Sequence, residues 1–150
     1  MVQGMAAMLA TTVLIGSVLT KTDGARLEPR ADQKISGKTK VMTHCFLEPC
    51  VIHGDFNGDG RSDSATLVKN KSGKSGILFE LSQGGMFLLG AGTGFGNGSD
   101  DFSWMVRWAL VKGPSLPNPR ADSILAESAE SGGGLIYWTG SFFRWRQQGD

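Results

Sequence analysis

His53-Gly54-Asp55-Phe56-Asn57-Gly58-Asp59-Gly60-Arg61-Ser62-Asp63, running on into Ser64-Ala65-Thr66-Leu67-Val68-Lys69, is the stretch on which the reading of this chain turns. Counting from Asp55, side-chain oxygens stand at positions 1, 3, 5 and 9 (Asp55, Asn57, Asp59 and Asp63), and Gly60 holds position 6. Ca²⁺ is a hard cation that collects about six to eight oxygens at about 2.3–2.6 Å, and loops of this spacing add a backbone carbonyl at position 7. Here that carbonyl belongs to Arg61, whose side chain is free to point to solvent. Gly60 lacks a Cβ and tolerates the positive φ of a sharp turn. An EF-hand is excluded, because position 12 is Thr66 rather than a bidentate Glu. Residues 64–69 also alternate with period two, as a strand does. The bland alternative is a polar turn, since Asn-Gly and Asp-Gly form turns unaided. A turn, however, does not require acids at 1, 5 and 9 around an Asn at 3. The stretch therefore predicts a calcium loop feeding a β-strand.

These residues resemble an FG-GAP or VCBS-type repeat of integrin-like β-propellers. The resemblance implies Ca²⁺ held by Asp55, Asn57, Asp59 and Asp63 together with the Arg61 carbonyl. It is tight over the acidic loop and loose over the next twenty or so residues. Propellers carry about 4–8 blades, too many for 150 residues, so the loop is expected without the propeller. A shift of 59 residues lays Arg61-Ser62-Asp63-Ser64 on Arg120-Ala121-Asp122-Ser123, Ser72-Gly73 on Ser131-Gly132 and Ile77-Leu78-Phe79 on Ile136-Tyr137-Trp138. In that register Asp55, Asn57 and Asp59 become Pro114, Leu116 and Asn118. The expectation is two related β-units, one keeping its calcium loop and one degenerate, with chance alignment of Gly/Ser turns as the competing reading.

Beyond residue 40 the chain reads as β throughout. Strands are expected at 65–69, 76–82, 86–90, 105–112, 123–127, 135–139 and 142–147, separated by Gly, Asn and Ser clusters. Short strands at this spacing, with 22 glycines for the connections, point to an all-β domain: a small antiparallel meander of blade-like units or a compact sandwich. Residues 41–150 are enough for one core. Leu135-Ile136-Tyr137-Trp138 and Phe142-Phe143-Arg144-Trp145 form the last hairpin, joined by aromatic cross-strand pairs. The four tryptophans, Trp104, Trp108, Trp138 and Trp145, are read as core, with an exposed stacking platform as the alternative.

The remaining features bear on compartment and partners. Residues 5–20 are an uncharged apolar run, shorter than the roughly 20 residues of a comfortable span and close to a signal-peptide core. No Lys or Arg precedes it and no clean small-x-small cleavage site follows. Residues 1–20 are expected to be an export signal, with a retained anchor or a core helix as alternatives, and residues 21–40 a flexible linker. Cys45 and Cys50 are the only cysteines and would close a small ring in an oxidising compartment. A zinc site using them with His44 and His53 competes poorly, because the spacing fits no common finger. The localisation expected is periplasmic or secreted, with membrane contact only through an uncleaved N-terminal segment. The net charge of +1 argues against a nucleic-acid surface. Lys74-Ser75 does not complete a phosphate loop, because Val68 stands where its first glycine belongs. The glycine-rich residues 90–96 lack the strand–helix context of a dinucleotide site. Together these readings predict an exported, calcium-binding, non-catalytic binding module whose partner is a protein or a glycan. An inhibitor or immunity-type protein, and a small hydrolase using Asp100 or Asp101, are the alternatives.

Overall fold

The computed structural model describes residues 33–36, 40–96, 99–113, 118–130 and 132–149. The expected export signal, residues 1–20, lies outside them. The described chain is all-β, with nine strands in two antiparallel sheets. The first sheet contains β1 (Val41–Thr43), β2 (Val51–Gly54), β3 (Asp63–Asn70), β4 (Ser75–Glu80) and β5 (Met86–Gly90). The second is the meander β6 (Met105–Val111), β7 (Ser123–Ser128), β8 (Gly133–Trp138) and β9 (Phe143–Gln148). All seven expected strands are present.

The two strands not expected, β1 and β2, form a single interrupted edge. β1 pairs with residues 68–70 and β2 with residues 63–66 of β3. The excursion between them carries a disulfide joining Cys45 and Cys50, whose Cα atoms are 4.8 Å apart. Leu67 spans the gap: its N–H donates to the Cys50 carbonyl and its carbonyl accepts from the His44 N–H. Allowing for that interruption, each sheet is a four-strand antiparallel meander of the same order.

Period-two alternation puts one face of each sheet into a shared core. Ala65, Leu67, Ile77, Phe79, Phe87 and Leu89 come from the first sheet, and Met105, Trp108, Ile124, Ala126, Ile136, Trp138 and Phe143 from the second. Under the 59-residue shift, Ala65, Leu67, Ile77 and Phe79 fall on Ile124, Ala126, Ile136 and Trp138, all buried. The shift slips at β5, whose Phe87 falls on exposed Arg146. Aromatic rings dominate the middle: Phe79 stacks on Phe143 at 4.0 Å, and Trp138 meets Phe87 and Phe143 edge-on at 5.0 Å. Fully burying such side chains contributes about 1.5–3 kcal/mol each. Trp108 and Trp138 belong to this core, and the half-buried Trp104 and Trp145 pack against it. Trp108 also donates its indole N–H to the Pro49 carbonyl at 2.8 Å, fastening the second sheet to the disulfide loop.

Within the stretch expected to be linker, residues 33–36 are part of the fold. Lys34 bridges to Phe87 on the outer edge of β5, and Gln33 is 5% exposed. The Gln33 side-chain amide donates to the Phe143 carbonyl and accepts from the Phe143 N–H, both at 3.0 Å. A side chain thus takes the place of a neighbouring strand at the start of β9 and ties the two sheets together. Composition marked this segment as polar and gave no sign of that pairing.

Candidate functional site

The acidic loop connects β2 to β3 and is built around Asp55. Its Oδ1 accepts the N–H groups of Gly58 at 2.8 Å and Asp59 at 3.0 Å, and its Oδ2 accepts that of Gly60 at 2.8 Å. Gly58 and Gly60 have φ of +77° and +81°, the left-handed region that glycine enters without penalty. Asn57 accepts from the Asp59 N–H at 3.2 Å and donates to Asp59 Oδ2 at 3.3 Å, while Asp59 Oδ1 accepts from the Arg61 N–H at 2.8 Å. Asp63 opens β3 and is 2% exposed. One of its oxygens accepts from the Phe56 N–H at 2.9 Å and the other from the Ser82 N–H at 2.8 Å. Phe56 itself is fully buried, anchoring the loop in the core between its polar neighbours.

The second sheet braces this loop. Asp55 N–H donates to Asp122 Oδ2 at 2.9 Å, and Asp122 N–H donates back to the Asp55 carbonyl at 2.7 Å. A Cβ on Gly58 would sit 3.1 Å from the Arg120 carbonyl, so the loop lies directly against residues 120–122. The sequence hinted at this partner, because Asp122 is what the 59-residue shift lays on Asp63.

The donor set can be tested against a hard cation. A carboxylate offers about four lone-pair sites and an amide oxygen about two. After the hydrogen bonds above, Asp55, Asn57, Asp59 and Asp63 each retain at least one. The Arg61 carbonyl accepts no hydrogen bond among the described residues. No Lys, Arg or His forms an ion pair with Asp55, Asp59 or Asp63 among the described residues. Residue types and free lone pairs therefore suit Ca²⁺. The loop is not a closed carboxylate cage, however: among the described residues, no three His, Cys, Asp or Glu side chains converge tightly enough to hold a metal ion by themselves.

Asp100 and Asp101 are each held by neighbouring groups. Asp100 pairs with the Lys74 ammonium. Asp101 accepts the N–H groups of Ser75 at 2.9 Å and Ser103 at 3.0 Å. Burial pushes the Asp101 carboxyl up, but those N–H groups, the Ser103 hydroxyl and the Lys74 charge outweigh it and hold the carboxyl below its ordinary value. The disulfide occupies both thiols that a Cys/His metal site would need.

The loop also walls a cleft of about 700 Å³ that the sequence did not announce. Asn57, Asp59, Gln83, Asn118 and Tyr137 are among the residues that line it. Only the 59-residue shift held a clue, since it sets Asn118 opposite Asp59.

No family model matches the chain, and neither the curated proteins nor the solved structures contain a match. The disulfide is compatible with an oxidising compartment. No helix among the described residues is long and apolar enough to cross a membrane.

Proposed function

We propose that this is an exported, calcium-stabilised, non-catalytic binding module of the periplasm or cell exterior, resembling one FG-GAP/VCBS-type unit with a degenerate second copy. The observation that carries the reading is the acidic loop: three aspartates and an asparagine at calcium spacing, without ion-pair partners among the described residues, each keeping a free lone pair. Asp55, Asn57, Asp59, Asp63 and the Arg61 carbonyl would hold the ion. Its charge would relieve the repulsion among the carboxylates and stiffen the connection between β2 and β3. The common order of the two meanders and the coincidence of four buried positions under the 59-residue shift favour duplication. The disulfide ring supports export.

Titration calorimetry of the protein with CaCl₂ and, separately, MgCl₂ tests the metal. One Ca²⁺ per chain, with much weaker Mg²⁺ binding, is expected, because Mg²⁺ demands near-ideal octahedral geometry and dehydrates reluctantly. Absence of calcium heat at millimolar concentration would leave the loop a polar turn.

A further inference from the structure

Four connections leave the two sheets at one end: the acidic loop, the turn between β4 and β5, the chain between β6 and β7, and the turn between β8 and β9. Each contributes to the cleft, through Asp59, Gln83, Asn118 and Gly140 respectively. A second cleft of about 450 Å³ abuts the first and shares Gln83, Trp138 and Gly140 with it, so the two form one continuous groove. Small-molecule sites occupy about 300–1,000 Å³, and loops carried on a rigid sheet scaffold are where binding residues gather.

The lining selects the ligand. The larger cleft presents the amides of Asn57, Asn118 and Gln83, the Asp59 carboxylate and Tyr137, and the smaller adds the Lys34 ammonium. The Gln83 amide and the Tyr137 hydroxyl make no hydrogen bond among the described residues, which leaves both for a ligand. A hydrocarbon would cover the Asp59 carboxylate and the amides without giving them partners. Hydroxyl groups answer both: they donate to a carboxylate and exchange hydrogen bonds with amides, while the C–H faces of a pyranose ring lie against an aromatic ring. A peptide adding as a strand finds the nearby backbone taken, with Lys34 on the β5 edge and Gln33 on Phe143.

We propose that this groove binds an oligosaccharide, with Tyr137 as the stacking ring and Gln83 and Asn118 as the amides that read its hydroxyls. The inference rests on the reading of the chain as a binding module and not on occupancy of the acidic loop. The test is an NMR titration of the full protein, in calcium, with maltotriose, cellotriose, chitotriose and galactotriose. Saturable shifts of the Gln83 and Asn118 side-chain amides and the Trp138 indole are expected with at least one of them. Tyr137→Ala and Gln83→Ala should each weaken that binding about tenfold or more while keeping the wild-type calcium heat. Gln83 is exposed, so its variant stays folded even if Tyr137→Ala does not. No shift with any saccharide, shifts confined to other regions, or binding indifferent to both variants would overturn the proposal. So would perturbation of the same resonances by a tryptic casein digest alone, which would assign the groove to a protein partner. Saccharide shifts without calcium heat would overturn the metal reading and leave this one standing.

Discussion

Asp63→Asn and Asp59→Ala separate what the fold takes from the acidic loop and what calcium takes. Asp63 is almost wholly buried, and its two carboxylate oxygens accept the N–H groups of Phe56 and Ser82. An asparagine keeps the volume but offers one acceptor oxygen, so one N–H must face an amide NH₂ instead. Leaving a buried donor unmatched costs about 1–3 kcal/mol. The Phe56 N–H is enclosed, whereas that of Ser82 lies nearer the surface, so about 2 kcal/mol is a fair figure. For a domain of this size that lowers Tm by about 8 °C. Asp59 is exposed, and water can replace its bond to the Arg61 N–H, so Asp59→Ala should cost about 0.5 kcal/mol or less. In EDTA, then, Asp63→Asn should melt well below the wild type and Asp59→Ala beside it. Calcium at about a hundredfold excess over Kd adds about 2.7 kcal/mol to a protein that binds it only when folded. The wild type should therefore rise by about 10 °C, and both variants should lose most of that rise. Two results would refute the reasoning. If Asp63→Asn melts with the wild type in EDTA, its buried hydrogen bonds are not worth what the burial implies. If Asp59→Ala keeps the full calcium increment, the ion binds elsewhere.

Gln33→Ala removes both hydrogen bonds to the Phe143 backbone at a buried site. Stability should fall by about 2 kcal/mol, with faster hydrogen exchange at the Phe143 amide; unchanged exchange there would mean that the segment does not clamp the sheets. Asp101 titrates below its ordinary value of 3.8, so it contributes stability above that pH that is lost as pH falls through its lower folded value. Asp101→Asn should accordingly flatten the acid side of the stability curve, and a curve of unchanged shape would show that Asp101 is not held in its charged form. Cys45→Ser with Cys50→Ser opens a ring of five-residue separation and should cost about 2 kcal/mol of chain entropy, read as a drop in Tm that reductant reproduces in the wild type.

Much of the fold was legible because its strands are local. Alternation in 64–69 and the apolar runs of 76–82 and 86–90 point to half-buried strands whatever they pair with, and tight Gly/Asn/Ser turns leave antiparallel neighbours as the natural outcome. β1 and β2 escaped because three or four residues carry too little periodicity, and the disulfide loop divides them. The role of Gln33 was illegible for a different reason: a polar residue in a polar stretch buries only because Phe143, 110 residues away, leaves an open N–H and C=O. The acidic loop could be read from spacing alone, since its donors are adjacent in the chain. The groove could not, since Gln83, Asn118 and Tyr137 meet only where three separate connections reach the same end of the two sheets.

The most direct test of the account is a crystal of the protein grown with CaCl₂, with anomalous scattering recorded to locate the ion. A peak in the β2–β3 loop, about 2.3–2.6 Å from oxygens of Asp55, Asn57, Asp59, Asp63 and the Arg61 carbonyl, is the predicted result. A loop without a peak at saturating calcium, its carboxylates still turned to the N–H groups of Gly58, Gly60 and Phe56, would contradict it.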